Sequence, residues 1–265
     1  MTLAAINSAQ IYYELAGQGQ PFVMIHAGVA DHRQWDNEFV HFSKEYQVLR
    51  YDTRGFGKSE PVDGEFTYMG DLIALLDYLE ITQPAIVMGC SMGGMLAMDF
   101  TLEHPDRVKA LIMVGSIPYG IEYDFDESPL FAEAEKLEEA KDWDKLAELE
   151  VQIWYIGAGR ESIPDDLYRL GYDMARTALS HQAKGLGTRH PSVNIPAATR
   201  LTELKCPTLS ILGEHDIEFE YLQYATDYLI ERAPQVRKVV MKDAAHLPNL
   251  DHPQEFKQHI EDFLN

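Results

Sequence analysis

Seven short apolar runs alternate along this sequence with longer segments in which apolar residues recur at helical spacing. The runs are continuously apolar or rich in β-branched residues, which is typical of buried strands. They lie at residues 11–13, 22–25, 47–51, 85–88, 108–114, 208–212 and 236–241. Helical periodicity is found at residues 67–81, 92–103, 219–233 and 254–264. Apolar strands that alternate with helices predict an α/β fold whose mostly parallel sheet is covered by helices on both faces.

The alternation of strands and helices is interrupted between residues 118 and 196. Apolar residues in this interval, from Leu137 to Ile153, follow helical spacing. A crossover between parallel strands needs only a dozen or more residues, so the interval is too long for ordinary crossover helices. We expect residues 1–117 and 197–265 to form the core of the fold, and residues 118–196 to form a helical cap over the sheet.

The strand at residues 85–88 runs into Gly-Cys-Ser-Met-Gly, and the chain then continues as a helix. A Gly-x-Ser-x-Gly turn between strand and helix is typical of a nucleophile elbow, in which the serine is strained and exposed at the sheet edge. The pattern predicts Ser91 as a nucleophile. It also predicts the Met92 N–H, at the helix start, as a donor to a developing oxyanion. The alternative is a glycine-rich turn in which Ser91 only caps the helix.

A serine hydroxyl is a weak nucleophile unless a base, oriented by an acid, removes its proton. In chains with this elbow the order is serine, acid, histidine. Asp216 follows the sixth predicted strand and His246 follows the last one, so both loops open at the edge that carries Ser91. We predict Asp216 as the acid and His246 as the base. Glu214 is the alternative acid, whereas His252 is expected to cap the final helix or lie on the surface.

A second oxyanion donor is expected in the loop after an early strand. The strand at residues 22–25 ends in His-Ala-Gly, and we predict the Gly28 N–H as the donor, with Val29 as the neighbouring alternative. Gly28 could instead serve only a tight turn. The charged residues 31–33 are expected to be solvated, and Trp35 is expected to pack in the interior.

These motifs resemble the α/β-hydrolase superfamily, in the branch of esterases, enol-lactonases and C–C bond hydrolases with helical caps. The resemblance covers nearly the whole chain and includes YDTRGFGKSE at 51–60, GEHD at 213–216 and AAHLPNLDHP at 244–253. It implies the α/β-hydrolase fold, and it implies a structural turn held by Asp52, Arg54, Gly55, Gly57 and Ser59. Ala27 stands where glycine is usual, so its methyl group is expected to narrow the approach to the oxyanion site.

The predicted triad favours a serine hydrolase that cleaves carboxylic esters of small to medium acyl groups through an acyl-enzyme. The alternatives are an enol-lactone hydrolase, a C–C bond hydrolase with the same triad, and a non-catalytic ligand receptor. Substrate choice is expected to depend on the cap. Its Arg160, Arg169 and Arg176 are candidate receptors for a substrate carboxylate or simply surface charges. Its candidate apolar lining residues are Trp143, Trp154, Tyr155, Tyr168, Tyr172 and Met174.

Composition narrows the expected partners. The net charge of −21 repels nucleic acid and anionic membranes, so we expect neither as a partner. The predicted triad instead implies a small-molecule ester or lactone substrate, and the sequence does not decide between a monomer and a homodimer. The histidines lack metal-ligand spacing such as His-Glu-x-x-His, and we expect neither a metal nor a cofactor. Since no secretory leader and no bilayer-length apolar run is found, the expected location is the cytoplasm.

Overall fold

The computed structural model describes residues 2–124, 128–233 and 235–265. The strands are β1 (Leu3–Ile6), β2 (Ala9–Ala16), β3 (Pro21–Ile25), β4 (Gln47–Tyr51), β5 (Glu65–Phe66), β6 (Ala85–Cys90), β7 (Val108–Val114), β8 (Thr188–Arg189), β9 (Thr208–Gly213) and β10 (Val236–Met241). The helices are α1 (Asp36–Phe42), α2 (Tyr68–Tyr78), α3 (Met92–Glu103), α4 (Pro129–Glu139), α5 (Trp143–Val151), α6 (Asp165–Gln182), α7 (Phe219–Arg232), α8 (Pro248–Asp251) and α9 (Pro253–Leu264). A single π-helical turn, Gln152–Ile156, continues α5.

Eight of the strands form one sheet in the order β1-β2-β4-β3-β6-β7-β9-β10. The pairs β1–β2 and β2–β4 are antiparallel, and the other pairs are parallel. The carboxyl ends of β3, β6, β7, β9 and β10 therefore lie at one edge. The chain runs from β3 outward to β4 and later returns to place β6 on the other side of β3. Such a reversal of strand order opens a crevice where α/β sheets bind ligands.

The core lies on both faces of this sheet. Val23 and Ile25 of β3 belong to one buried cluster, whereas Phe22 and Met24 of the same strand belong to the other. This alternation follows from the two-residue period of a strand. Because both faces are covered by helices, the central strands are apolar throughout, and the predicted α/β-hydrolase fold is confirmed.

The structure differs from the predictions at several places outside the site. The apolar-run pattern did not predict β1 or α1, since β1 is a short edge strand with alternating burial and α1 is only seven residues long. The expectation that residues 31–33 are solvated is wrong for Asp31 and His32, which are 1% and 4% exposed. Both are buried because polar partners replace water: His32 donates its backbone N–H to Asp52 Oδ1 at 2.7 Å, and Asp31 pairs with Arg33.

The interval predicted to form a cap contains α4, α5, the π-helical turn and α6, and its residues 125–127 lie outside the described residues. Leu146 and Ala147 of α5 pack against Ala175 and Leu179 of α6. After α6 the interval is no longer helical, because β8 pairs with β5 in a separate two-stranded parallel sheet. No helix in the described part of the chain has the length and apolar character that crossing a bilayer requires.

Candidate active site

Ser91 lies in a strained turn at the carboxyl end of β6. Its φ is 50° and its ψ is −116°, a conformation that a residue with a side chain rarely adopts. A side-chain carbon at Gly89 would lie 2.0 Å from the Gly93 carbonyl oxygen, and one at Gly93 would lie 2.4 Å from the Ile25 oxygen. The turn therefore requires glycine on both sides of the serine. Ser116 Oγ fixes the turn by donating to the Ser91 carbonyl oxygen at 2.8 Å.

His246 and Asp216 form a buried pair at the same edge of the sheet. His246 Nδ1 lies 2.5 Å from Asp216 Oδ2, and each residue is 2% exposed. The other carboxylate oxygen, Oδ1, accepts the Glu218 N–H at 3.0 Å, which fixes the orientation of the carboxylate. Glu214, the alternative acid, is exposed, and its carboxylate accepts the Asp243 N–H at 3.4 Å. The geometry thus brings Asp216, and not Glu214, to the imidazole.

Two opposing effects act on the pKa of His246. Burial lowers it because an imidazolium loses hydration, whereas the charge of Asp216 and its hydrogen bond raise it. The second effect prevails, and the pKa of His246 is raised. An imidazole in this environment can hold a transferred proton more readily than a free one.

The His246 loop lies directly beside the Ser91 turn. Cys90 Sγ is 3.8 Å from the His246 carbonyl oxygen, and the Ser91 N–H donates to Val114 at the end of β7. The next residue, Gly115, supports His246, since a side-chain carbon there would lie 2.8 Å from the His246 carbonyl oxygen. The hydrogen bonds among the described residues do not include one between the Ser91 hydroxyl and the imidazole. Such bonds are often long in a site without substrate and tighten in the complex.

The two predicted oxyanion donors lie side by side across the crevice between β3 and β6. A side-chain carbon at Gly28 would lie 3.8 Å from both Cβ and Sδ of Met92. Within the described part of the chain, neither the Gly28 N–H nor the Met92 N–H has a hydrogen-bond acceptor. The Met92 N–H belongs to the first turn of α3, where helix geometry leaves donors unpaired. Both donors are therefore available to a developing negative charge.

A buried polar cluster behind this loop fixes its position. The Ala27 N–H donates to Gln34 Oε1 at 2.9 Å. Asn249 Nδ2 in turn donates to the Gln34 carbonyl oxygen at 2.8 Å and to Glu38 Oε2 at 3.1 Å. Burial raises the pKa of Glu38 to about 8. This cluster was not predictable from the sequence, because no local pattern links Glu38 of α1 to Asn249 of α8.

The π-helical turn after α5 covers the His–Asp pair. The Trp154 ring lies 4.5 Å from the imidazole of His246, measured between centroids. Tyr155 donates its hydroxyl to the Val29 carbonyl oxygen at 2.9 Å, which connects the turn to the oxyanion loop. Of the predicted carboxylate receptors, Arg160 is paired with Asp251 at 3.0 Å and Arg176 with Asp144 at 2.6 Å. Neither guanidinium lines the two cavities, described below, that lie beside Gly28 and Met92.

Two cavities lie beside the predicted oxyanion donors. One, of about 270 Å³, is lined by Gly28 and by residues of α6. The other, of about 320 Å³, is lined by Met92 and other residues of α3. Tyr68 and Arg189 line both cavities and stand between them. The cavities therefore adjoin the site through Gly28 and Met92, and neither lining includes Ser91 or His246.

Among the described residues, two groups of one histidine and two carboxylates lie close enough to share a metal ion. The first is Asp31, His32 and Asp52, and the second is Glu214, His215 and Asp243. In the first group the carboxylates already accept hydrogen bonds, since Asp52 accepts from His32 and from the Lys58 N–H, and Asp31 accepts from Arg33. The second group is largely exposed. Neither group includes Ser91 or His246.

A mostly parallel sheet, a strained serine between β6 and α3, and a buried histidine–aspartate pair at the same edge define an α/β hydrolase. Residues 22–259 match the alpha/beta hydrolase family, and the chain belongs to that family.

Several relatives match nearly the whole chain. It is 28% identical over 256 residues to a pimeloyl-[acyl-carrier protein] methyl ester esterase of Aeromonas hydrophila, covering 95% of this chain and 98% of that protein. It is 24% identical over 233 residues to 3-oxoadipate enol-lactonase 2 of Acinetobacter baylyi, covering 86% of this chain and 82% of that protein. The crystal structure of the enol-lactonase from Burkholderia xenovorans superposes with a TM-score of 0.76 at 22% identity, covering 99% of both chains. The last likeness bears on the fold alone.

Proposed function

We propose that this protein is a serine hydrolase that cleaves carboxylic esters of small to medium acyl groups. Ser91 is the nucleophile, His246 the general base, Asp216 the orienting acid, and the N–H groups of Gly28 and Met92 the oxyanion donors. The observation that carries the proposal is the buried 2.5 Å contact between His246 and Asp216 beside the strained turn of Ser91. This arrangement matches the roles that acyl transfer requires.

The proposed mechanism has two halves. His246 Nε2 takes the Ser91 proton as Oγ attacks the ester carbonyl, and the two N–H groups stabilise the oxyanion of the tetrahedral intermediate. The imidazolium then protonates the leaving alkoxide, and an acyl-enzyme remains. His246 then takes a proton from a water molecule that attacks the acyl carbonyl. The bond between the acyl carbon and Ser91 Oγ breaks, the carboxylic acid leaves, and the imidazolium returns its proton to Ser91 Oγ. Asp216 keeps the proton of the neutral imidazole on Nδ1, so that Nε2 is free to act.

The two cavities and the proposed cap, residues 118–196, support the choice of substrate class. Two modest cavities on either side of the oxyanion donors suit an acyl chain and an alcohol of small to medium size. The named activity of the esterase relative is consistent with this choice. Lactone hydrolysis is the second candidate, favoured by the enol-lactonase relative and by the guanidinium of Arg189 between the cavities. The net charge of −21 ranks it second, since it disfavours anionic substrates on encounter.

The test is hydrolysis of a panel of 4-nitrophenyl esters, lactones and ring-cleavage diketones by wild type and Ser91→Ala. We expect wild type to favour short-chain esters, and Ser91→Ala to lose turnover and fluorophosphonate labelling while keeping its melting temperature. Ser43→Ala, which removes a half-buried hydroxyl that donates to the Val40 carbonyl oxygen outside the site, is the matched control and should behave as wild type. Ester turnover that survives in Ser91→Ala would contradict the assignment of the nucleophile.

A further inference from the structure

One face of α3 extends from the proposed oxyanion donor into the cavity of about 320 Å³. Met92, Met95, Leu96 and Asp99 recur at the spacing of one helical face and all line this cavity. The rest of the wall comes from Tyr68, Tyr119 and residues 189–193. Asp99 is the only carboxylate among the described residues of the lining. A single acid on an otherwise largely apolar helix face requires a physical explanation.

Asp99 is buried without a full set of partners. The residue is 9% exposed, and its Oδ1 has no hydrogen-bond partner among the described residues. The nearby Arg200 donates to Glu103, Glu203 and the Leu102 carbonyl oxygen. Burial, together with the charge of Glu103, raises the pKa of Asp99 to about 6. A buried acceptor left unpaired destabilises a protein, so such groups are commonly satisfied by a ligand, an ion or water.

The distance from the nucleophile sets the size of a ligand that could reach Asp99. Ser91 immediately precedes α3, and at 1.5 Å per residue Asp99 lies roughly 12 Å further along the helix axis. A group bound to Asp99 would therefore lie at the end of a chain of medium length whose ester is held at Ser91.

We propose that Asp99 binds a hydrogen-bond-donating group, an ammonium or a hydroxyl, at the far end of a substrate chain lying along α3. That this group belongs to a substrate whose ester lies at Ser91 rests on the proposed ester hydrolysis, whereas the binding of the group to Asp99 does not. The net charge of −21 favours a cation on encounter. Arg189 lines the same cavity, but it is exposed, and its guanidinium lies 5.2 Å from the centre of the Tyr68 ring. The carboxylate of Asp99 is the buried acceptor to which such a group can donate a hydrogen bond.

The test measures binding directly, by calorimetric titration of octylamine, octanol and octanoate into wild type, Asp99→Asn and Asp99→Leu. We expect wild type to bind octylamine or octanol at least tenfold more tightly than octanoate, the factor that a hydrogen bond to a charged group provides. Asp99→Asn should lose the preference for the amine, whereas a hydroxyl preference should persist in Asp99→Asn and disappear in Asp99→Leu. Both variants remove an unpaired buried charge and should not melt below wild type.

Asp106→Asn is the matched control, because it makes the same substitution at an exposed position beyond the end of α3. It should keep the wild-type preference. Equal preferences in wild type and both Asp99 variants, or no binding of any of the three probes by wild type, would overturn the proposal. If these titrations succeed while Ser91 shows no ester turnover, the binding site stands and the proposed ester hydrolysis fails, so the two proposals are separable.

Discussion

Replacement of Asp216 by asparagine tests how the buried pair controls the imidazole. In the wild-type site Asp216 Oδ1 accepts the Glu218 N–H at 3.0 Å and Oδ2 faces His246 Nδ1. In Asp216→Asn the amide oxygen should stay at the Glu218 N–H, because only an oxygen can accept there. The amide NH₂ must then face Nδ1 of His246. That nitrogen becomes an acceptor, and the imidazole proton moves to Nε2, where it prevents removal of the Ser91 proton.

The expected loss follows from this change of tautomer. Inverting the imidazole of a serine triad lowers kcat by about 10⁴, which corresponds to about 5.4 kcal/mol at 1.36 kcal/mol per tenfold change in rate. The pKa of His246 should also fall, because burial then acts without the opposing charge of Asp216. Since the base must be neutral, activity rises with pH through this pKa. The acid limb of the residual kcat/KM profile should therefore move to lower pH.

The assay is the pH dependence of 4-nitrophenyl butyrate hydrolysis by wild type, Asp216→Asn and Glu214→Gln. Glu214 carries the same charge two residues earlier and is exposed, so its variant should keep activity within about threefold of wild type, as expected for a surface charge. Activity of Asp216→Asn within tenfold of wild type would refute the tautomer argument. A comparable loss in Glu214→Gln would show that the wrong acid has been assigned.

Two further predictions concern the surroundings of the site. Gly115→Ala places a carbon 2.8 Å from the His246 carbonyl oxygen at a φ of 49°. We therefore expect thermal melts to show a loss of about 1–3 kcal/mol of stability, and ester hydrolysis to show a fall in kcat of tenfold or more. An unchanged kcat would contradict the role of Gly115 in positioning His246. Burial raises the folded-state pKa of Glu38 from 4.5 to about 8, so the folded protein binds this proton more tightly than the unfolded chain, and the associated stability is lost as pH rises through that window. Glu38→Gln should flatten this pH dependence in denaturant titrations, and identical curves for variant and wild type would disprove it.

Much of the fold followed from short-range pattern. The central strands are buried on both faces because helices cover the sheet, and this made runs such as β4 and β7 recognisable with their observed bounds. Elements outside that rule were not predicted: β1 has one solvated face, and β5 and β8 are two-residue strands that pair across the chain. A two-residue strand has no period to detect.

Some features of the candidate site were likewise predictable from the local sequence, and others were not. The turn at Ser91 is determined locally, because only glycine fits at positions 89 and 93. Ser91, Asp216 and His246 each follow a predicted strand. Because parallel strands end at one edge of a sheet, the three side chains could be predicted to lie there. The burial of Asp31 and His32 was not predictable in this way, since charged side chains are expected in water unless distant partners such as Asp52 replace it.

The sequence by itself determined which backbone turn holds Ser91 and which strand ends carry Asp216 and His246, because those features depend on neighbours a few residues away. Only the tertiary structure decided what surrounds them: Asn249 reaching Gln34 behind the oxyanion loop, Trp154 lying on His246, and the cavity in which Asp99 is buried. These contacts join residues far apart in the chain. Their energies depend on packing and on exclusion of water, and neither property is encoded in the spacing of residues along the sequence.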